Sequence, residues 1–367
     1  MAIAIAEINS KNIKHNLSLI RDITKDAYIL AMVKANGYGH SILDVSRILR
    51  ELNVEYLGVA FIGEAIKIRQ AGDKGKILVT VSPEPSDADL FIDYNIEIAF
   101  SSFEILNAFS QKALEREVII RGHLYVDSGM HRDGMSTENA LIFMDYVKDN
   151  PYIKIVGLMT HLATADIPEI DFAEKQLERF ESVKKILESR GNRFKYIHTA
   201  NSSAIINYPH SHYNMVRPGI ALYGYLPNEQ LSKKLNLKPV MEWKSKIMHI
   251  LNVPKGDCIG YSNKFVATKD MVIAVVPVGY ADGLPRNLTN KFECLINGKR
   301  FLSVGSICMD EFMVDISNSN VKSGDEVVLM GKQGNEEISV YELANLSNSV
   351  PYERTTAISD RVQRIII

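Results

Sequence analysis

The sequence is poor in cysteine and has no excess charge of one sign. Only three cysteines, Cys258, Cys294 and Cys308, occur among 367 residues, and none stands in a paired spacing. A disulfide framework and a cysteine-based zinc site are therefore not expected, and we expect no metal. The net charge of −2 provides no basic surplus for nucleic acid, so the expected partner is a small molecule.

A long hydrophobic run and a basic leader are also missing. The first residues, Met-Ala-Ile-Ala-Ile-Ala-Glu, are apolar but reach Glu7 too soon for a signal peptide or a membrane span. We therefore expect no membrane contact and a cytoplasmic location. The hydrophobic content of 46% and the charged content of 23% are those of an ordinary globular protein.

Short β-like runs alternate with helix-like segments through the first two-thirds of the chain. Eight such alternations in about 230 residues match a (β/α)₈ barrel, which typically has about 250 residues. A doubly wound open sheet is discounted, because Gly37-Tyr-Gly39 lacks the third glycine of a dinucleotide-binding fingerprint. Ser10 is predicted to cap a helix before the first barrel strand. The predicted strands are 28–33, 56–60, 77–81, 96–100, 118–126, 153–160, 195–199 and 214–217.

After about residue 235, β-branched runs with turns replace this alternation. Asn297-Gly298 between two apolar runs predicts a two-residue hairpin, and Ser339 is predicted to cap a helix that ends near Leu346. We therefore predict an α/β protein of two domains. They are a (β/α)₈ TIM barrel over residues 10–235 and a mostly antiparallel β domain over residues 236–367, joined by a strand within 1–9.

Polar side chains stand at the carboxyl ends of the predicted barrel strands, where barrel enzymes place their active sites. Lys34 closes the apolar run Ile29–Val33, which should partly desolvate its amine and favour the neutral, nucleophilic form. Lys34 and five other polar side chains at strand ends are expected to face one mouth of the barrel. The others are Arg132 after strand five, His161 after strand six, Asn201 and Ser202 after strand seven, and Arg217 after strand eight.

Several motifs resemble those of one family. Val33-Lys34-Ala35-Asn36-Gly37-Tyr38-Gly39-His40 closely resembles the pyridoxal phosphate attachment signature of alanine racemases, a family of fold type III. Arg217-Pro-Gly-Ile-Ala-Leu-Tyr-Gly224 resembles the family segment whose arginine meets the pyridine nitrogen of the cofactor. Ile259-Gly-Tyr-Ser262 resembles the segment of the catalytic tyrosine. The resemblance extends from Lys34 to the carboxyl terminus.

The resemblance implies pyridoxal phosphate as the cofactor. Arginine is effectively always protonated and cannot accept a proton, so Arg217 should leave the ring nitrogen neutral and the ring a weaker electron sink. Backbone amides near the starts of the last two barrel helices, with the Ser202 and Tyr38 hydroxyls, would bind the phosphate. The residues expected to hold the cofactor are Lys34, Tyr38, His161, Asn201, Ser202, Arg217, Gly219 and Ile220.

The resemblance also implies two catalytic bases on opposite faces of an amino-acid substrate, Lys34 and Tyr261. A tyrosine has an ordinary pKa of about 10, so His161 and His198 would assist Tyr261. Arg132 would bind the substrate carboxylate through charge-assisted hydrogen bonds. In the family, the tyrosine and a Met-Asp pair, matched here by Met309 and Asp310, enter from a second subunit. A homodimer with shared active sites is therefore implied.

Two positions depart from the family pattern. Tyr125 stands where family members carry a carbamylated lysine that orients the arginine, so Arg132 should be held differently. Asp360 in Ile358-Ser-Asp-Arg-Val362 stands where the family typically has a tyrosine that touches the phosphate. We expect Asp360 to border the substrate and to make the pocket wider and more polar. The alternative is a surface Asp360, paired with Arg361 or Arg364, while the pocket closes in another way.

The leading interpretation is an alanine racemase that interconverts L- and D-alanine for peptidoglycan synthesis. A racemase for serine or for a basic amino acid such as lysine or ornithine is the first alternative. Amino-acid decarboxylases share the barrel-plus-β plan but pair the ring nitrogen with a carboxylate, so Arg217 and Tyr261 favour a racemase. A non-catalytic pyridoxal phosphate-binding protein would leave the β domain unexplained.

Overall fold

A computed structural model of the protein describes residues 4–367. Its first strand, β1 (Ile5–Ile8), belongs to the second domain and is described with it below. Within the described range, eight parallel strands then form a barrel, and the barrel predicted from the sequence is confirmed. They are β2 (Tyr28–Met32), β3 (Tyr56–Val59), β4 (Lys76–Val79), β5 (Glu97–Phe100), β6 (Ile120–Tyr125), β7 (Ile153–Met159), β8 (Tyr196–His198) and β9 (Met215–Val216).

The barrel strands are hydrogen-bonded in the order β8-β7-β6-β5-β4-β3-β2-β9. The seam between β8 and β9 is closed by individual bonds, because the Arg217 N–H donates to the Ala200 carbonyl at 2.9 Å. The Asn214 side chain also accepts from the Ile197 N–H at 2.7 Å. All four residues of β3 are buried, as expected for parallel strands that are covered on both faces.

Helices cover the outside of the barrel. The first begins one residue after its cap, which is Asn9 and not Ser10 as predicted, since the Asn9 side chain accepts from the Asn12 N–H. The Ser10 hydroxyl instead donates to the Ile367 carbonyl at 2.9 Å. The helices of the barrel domain are Ser10–Thr24, Ile42–Glu51, Ile62–Gln70, Ala88–Asp93, Phe103–Glu115, Thr137–Val147, Phe172–Ser189, Ser202–Asn207 and Glu229–Leu235.

The second domain is built on a mostly antiparallel sheet. In the part of the chain that is described, β1 pairs with β10 and β18, so the amino-terminal strand is a member of this sheet. The strand expected within 1–9 is thus observed over Ile5–Ile8, and residues 1–3 lie outside the described residues. The other strands of this sheet are β10 (Met241–Lys246), β11 (His249–Val253), β12 (Met271–Val276), β13 (Glu293–Ile296), β14 (Lys299–Val304), β15 (Phe312–Asp315), β16 (Glu326–Gln333), β17 (Glu336–Ile338) and β18 (Gln363–Ile366).

The local predictions in this domain are confirmed. Asn297 and Gly298 join β13 to β14 with φ angles of 51° and 73°, the positive pair that a type I′ hairpin requires. Ser339 caps the helix Val340–Leu346 by accepting from the Glu342 N–H at 3.0 Å. One further helix, Pro351–Thr356, follows. Among residues 4–367, none of the helices combines the length and apolar character that crossing a membrane requires.

Candidate active site

A cavity of about 840 Å³ opens at the carboxyl ends of the barrel strands. This is the mouth at which barrel enzymes place their chemistry. The fold brings together most of the polar residues that the sequence singled out, although they come from separate strand ends. The predicted site residues that line the cavity are Lys34, Tyr38, Arg132, His161, Asn201, Ser202, Arg217, Gly219 and Ile220.

Lys34 begins a tight turn just after β2. Ala35, Asn36 and Gly37 adopt left-handed backbone angles, with φ of 52°, 54° and 64°. Each non-glycine residue in this conformation costs about 1–2 kcal/mol. The turn is held by Glu64, whose carboxylate accepts from the Ala35 N–H at 2.6 Å, and by the Asn36 side chain, which accepts from the Ile42 N–H at 2.9 Å. Strained backbone of this kind is typical of functional sites.

The Lys34 amine has a lowered pKa. Burial is the main cause, and the neighbouring Arg132 and Arg217 guanidinium groups act in the same direction. Glu64 and Asp133 partly oppose them. The desolvation expected from the apolar strand is therefore present, and the neutral nucleophilic amine is reached at a lower pH than for an exposed lysine.

Arg217 is buried and nearly saturated with hydrogen bonds. Its Nη1 donates to the His198 carbonyl at 2.8 Å and to the His198 ring at 2.9 Å. Its Nη2 donates to the Thr160 carbonyl at 2.6 Å, with the His161 ring and the Thr199 carbonyl each at 3.2 Å. A guanidinium has five N–H groups, and these contacts occupy the four on Nη1 and Nη2. Among the described residues nothing accepts from Nε, so this donor is available to a ligand in the cavity.

The two histidines beside Arg217 differ in position. The pKa of each lies well below its ordinary value, because burial and the adjacent guanidinium disfavour a second positive charge. His161 lines the cavity. His198 instead lies beneath Arg217 and turns its Nε2 to His123 Nδ1 at 2.7 Å, inside the barrel. Of the two histidines expected to assist Tyr261, His161 therefore lines the cavity, whereas His198 Nε2 is directed to His123.

One end of the cavity carries hydrogen-bond donors. The Ser202 hydroxyl oxygen accepts from the Gly219 and Ala221 N–H groups at 2.9 and 3.3 Å, which leaves its own proton free to donate. Within residues 4–367, the Tyr38 hydroxyl has no partner. A Cβ at Gly219 would lie 2.3 Å from this hydroxyl, so glycine is needed to leave room for the Tyr38 side chain. Asn201 caps the helix Ser202–Asn207 and ties it to the Leu162 carbonyl.

Arg132 is held by its sequence neighbour. Its Nε lies 3.2 Å from the Asp133 carboxylate. Burial raises the pKa of Tyr125 despite the nearby Arg217 and Arg132, so the phenol is neutral and supplies no negative charge. The anion beside Arg132 therefore comes from Asp133, which the sequence analysis did not single out.

Tyr261, Met309 and Asp310 lie outside the cavity of their own chain, on the surface of the β domain. The Tyr261 side chain is 69% exposed, and Met309 is 51% exposed. The Ser306 hydroxyl donates to the Tyr261 carbonyl at 2.8 Å, which fixes the short turn that carries this tyrosine. Asp310 pairs with Arg361 at 2.8 Å. A single chain therefore does not unite these residues with Lys34.

Asp360 also lies away from the cavity, contrary to our expectation for a pocket residue. It is exposed and borders a separate depression beside Ser41 and Leu43. The alternative ion pairs are not formed either, since Arg361 contacts Asp310 and Asp282 while Arg364 donates to backbone carbonyls. The cavity wall expected at Asp360 is provided by Tyr352, eight positions earlier in the chain.

Three residues of the site escaped the sequence analysis. Asp133 could have been noticed as the acid next to Arg132. Glu64 and Tyr352 carry no sequence signal of their own, because each reaches the site only through the packing of its helix. The centre of the Tyr352 ring lies 6.2 Å from that of the Tyr38 ring, close to the donor-rich end of the cavity.

A parallel barrel with a lysine at its carboxyl-terminal mouth, followed by an antiparallel sheet domain, is the plan shared by barrel-type pyridoxal phosphate racemases and decarboxylases. The fold and the site therefore define a member of this class of enzyme. The comparisons with known proteins narrow the class to one family.

The family model described as "Alanine racemase, N-terminal domain" matches residues 8–227 of this chain. The model described as "Alanine racemase, C-terminal domain" matches residues 240–366. A relative named alanine racemase from Clostridium tetani is 39% identical over 366 residues, which are 99% of this chain and 95% of the relative. The solved alanine racemase of Clostridium difficile 630 has a TM-score of 0.95 at 34% identity, with 99% and 95% of the two chains covered. The chain belongs to the alanine racemase family.

A structure with a different name is also similar. The histidine racemase of Leuconostoc mesenteroides has a TM-score of 0.92 at 27% identity and is covered over 98% of its length. The overall fold of this family therefore does not by itself distinguish one amino-acid substrate from another.

Proposed function

We propose that this protein is a pyridoxal phosphate-dependent racemase that interconverts L- and D-alanine and supplies D-alanine for peptidoglycan. The observation that carries the proposal is Arg217, which lines the same cavity as Lys34 and whose Nε has no hydrogen-bond acceptor among residues 4–367. An arginine in this position suits a racemase, whereas the related decarboxylases pair the ring nitrogen with a carboxylate.

The cavity fits the cofactor. The free hydroxyl protons of Tyr38 and Ser202, with the first-turn amides at Ser202 and Ile220, would bind the phosphate. Arg217 Nε would donate to the ring nitrogen, and the Lys34 amine would hold the cofactor. When bound, pyridoxal phosphate acts as an electron sink that makes the α-proton of an amino acid acidic.

Two bases would then exchange this proton on opposite faces of the substrate. Lys34 Nζ takes or returns the proton on one face, and its lowered pKa increases the neutral fraction that can accept it. The Tyr261 hydroxyl of the partner subunit does the same on the other face, assisted by the neutral His161. Arg132 binds the substrate carboxylate while Asp133 holds the guanidinium in place.

The proposal includes a homodimer with shared active sites. Tyr261, Tyr280 and Met309 are all exposed, and the segments that carry them are joined: the Tyr280 N–H donates to the Cys308 carbonyl at 3.0 Å. Together with Asp310, they form a partly apolar surface suited to cover the open cavity of a second copy. A cytoplasmic location is also proposed, because D-alanine for peptidoglycan precursors is used there; cell fractionation tests it.

A basic amino acid is the alternative substrate. The carboxylates of Asp133 and Asp166 line the cavity, and a similar structure is named a histidine racemase. The test is exchange of the α-proton in deuterated water with cofactor-loaded protein, with chiral analysis of L-alanine, L-serine, L-lysine, L-ornithine, L-arginine and L-histidine. Fast exchange with formation of D-alanine supports the proposal. If a basic amino acid is preferred, it would replace alanine as the proposed substrate. Release of carbon dioxide or complete inactivity would refute the proposed racemase activity.

A further inference from the structure

A line of polar side chains crosses the barrel interior below Arg217. Arg217 Nη1 lies 2.9 Å from His198 Nδ1, and His198 Nε2 lies 2.7 Å from His123 Nδ1. His123 Nε2 lies 3.3 Å from Glu97 Oε2, at the start of β5 near the opposite mouth. Both histidines are completely buried, and the Glu97 side chain is 12% exposed. The line therefore spans the barrel from its catalytic mouth to its far end.

The chemistry of the two ends determines where the protons lie in between. Arginine can only donate, so His198 Nδ1 must accept and its single proton must be on Nε2. That proton points at His123 Nδ1, which must also accept, so the proton of His123 is on Nε2 as well. An ionised carboxylate can only accept, and Glu97 receives this last proton. Every donor in the line then meets an acceptor.

The opposite arrangement is disfavoured at both ends of the line, because it sets donor against donor at Arg217 and lone pair against lone pair at Glu97. If both rings carried their protons on Nδ1, the N–H of His198 would face the N–H of Arg217, and the donor–donor contact would push the guanidinium away. Burial would raise the pKa of Glu97, but the hydrogen bonds from His123 and Tyr56 hold it below its ordinary value. Glu97 is therefore ionised at neutral pH and remains an acceptor.

We propose that Glu97 is a positioning residue that acts on Arg217 through two histidines. By accepting from His123 it places the proton of each ring on Nε2, and it thereby gives Arg217 the lone pair that keeps Nε directed into the cavity. The consequence for catalysis rests on the proposed function, in which this Nε meets the cofactor ring. The proton positions themselves do not depend on it.

The test compares three variants of similar volume. Glu97→Leu removes the acceptor, whereas Glu97→Gln keeps an amide oxygen that can accept from His123. Tyr56→Phe is the matched control, because it removes the other hydrogen bond to Glu97, 2.8 Å long, and leaves the line intact. The first readout is the ¹⁵N spectrum of the histidine rings in the cofactor-free protein, which reports the protonated nitrogen of each ring.

In the wild type, Glu97→Gln and Tyr56→Phe, we expect both His123 and His198 to carry the proton on Nε2. In Glu97→Leu we expect mixed or reversed tautomers. A proton on Nδ1 of His198 in the wild type would overturn the proposal at once, and this spectrum decides the matter if Glu97→Leu does not fold. Unchanged tautomers in a folded Glu97→Leu would overturn it as well.

The second readout is turnover by the loaded enzyme. Loss of an ordered hydrogen bond to a charged group corresponds to about a 10–100-fold fall in kcat for Glu97→Leu, with recovery to within about threefold in Glu97→Gln. Equal losses in both variants would indicate a structural role only and would refute the positioning role. If the wild type shows the expected tautomers but no racemisation, the proposed function fails while the proton arrangement stands.

Discussion

At Arg132, the carboxylate of Asp133 stands in for the carbamylated lysine that orients this arginine in other family members. The Asp133 carboxylate lies beside Nε, and the nearby Tyr125 is neutral and adds no charge. A guanidinium held on one edge can present its other N–H groups to a substrate carboxylate in a fixed orientation. In the proposed function, Asp133 would therefore determine how well Arg132 binds the substrate carboxylate.

We expect Asp133→Asn to raise KM for alanine about tenfold, because the charge that orients Arg132 is lost. Steady-state kinetics of racemisation in both directions measure this change. His131→Asn is the control on the same loop, since the His131 side chain is 81% exposed and does not line the cavity. An unchanged KM in Asp133→Asn would show that Arg132 is oriented by other groups.

The pH dependence of cofactor attachment follows from the charges around Lys34. Attachment requires the neutral amine, so its rate rises with pH and levels off above the pKa of Lys34 in the folded protein. Arg132 lowers this pKa and Asp133 raises it. Arg132→Gln should therefore shift the midpoint to higher pH, and Asp133→Asn should shift it to lower pH. The measurement is the rate of absorbance change when pyridoxal phosphate is added to cofactor-free protein; shifts in the same direction would contradict this account.

Substrate selection should depend on Tyr352 and not on Asp360. Tyr352 lines the cavity, whereas Asp360 lies in a separate depression. We expect Tyr352→Ala to raise kcat/KM for larger amino acids relative to alanine about tenfold, as the cavity widens. Asp360→Tyr should leave the ranking of substrates unchanged. The same panel of amino acids measures both variants. A changed ranking of substrates in Asp360→Tyr would show that Asp360 does contribute to substrate selection.

At the scale of elements, the site depends on how one helix supports one turn. Glu64, in the first turn of the helix Ile62–Gln70, accepts from the Ala35 N–H and also from Ala60 and Phe61 at 2.8 and 3.3 Å. One carboxylate thus connects the end of β3 to the left-handed turn that carries Lys34. Without it, three N–H groups lose their acceptor and the strained turn loses its anchor.

We expect Glu64→Ala to destabilise the protein by about 1–3 kcal/mol and to weaken cofactor binding. Thermal unfolding with and without pyridoxal phosphate separates the two effects, because only the cofactor-dependent part reports on the turn. Lys67→Ala, at an exposed position of the same helix, is the control and should change neither. Equal unfolding temperatures of the two variants, with and without the cofactor, would mean that the turn keeps its shape without Glu64.

The strands and turns themselves were largely predictable. Each of the eight predicted barrel strands overlaps an observed strand, because buried parallel strands are continuous apolar runs and this signal is local. The Asn297-Gly298 hairpin was predictable for the same reason, since its positive φ angles select these two residue types. The first helix cap was misplaced by one residue, because Ser10 and Asn9 are both good caps and only the contact with Ile367 separates them.

At the scale of the whole molecule, the cavity and Tyr261, the proposed second base, lie apart in one chain. Lys34 lines the barrel mouth, and Tyr261 stands exposed on the β domain. A symmetric dimer would bring the Tyr261 of each subunit to the Lys34 of the other. Each active site would then contain residues from both chains, and activity would depend on association.

Complementation tests this arrangement. Lys34→Ala and Tyr261→Phe should each be nearly inactive alone, since each lacks one of the two bases. Co-expressed in equal amounts, about half of the dimers would combine the two variants, and each such dimer would have one intact site of two. Activity should therefore return to about a quarter of the wild-type value. Sites contained within single chains would give no recovery, and light scattering on the same samples determines the size of the assembly.

The sequence by itself determined the barrel, the second sheet, the family and most of the residues at the cavity, because these depend on apolar runs, turn residues and contiguous motifs. Only the tertiary structure placed Tyr352 rather than Asp360 at the cavity and aligned Glu97, His123 and His198 beneath Arg217. His123 and His198 are 75 positions apart, and their contact exists only because β6 and β8 flank β7 in the same barrel. Such contacts depend on how strands are arranged in space, and no local pattern along the chain encodes them.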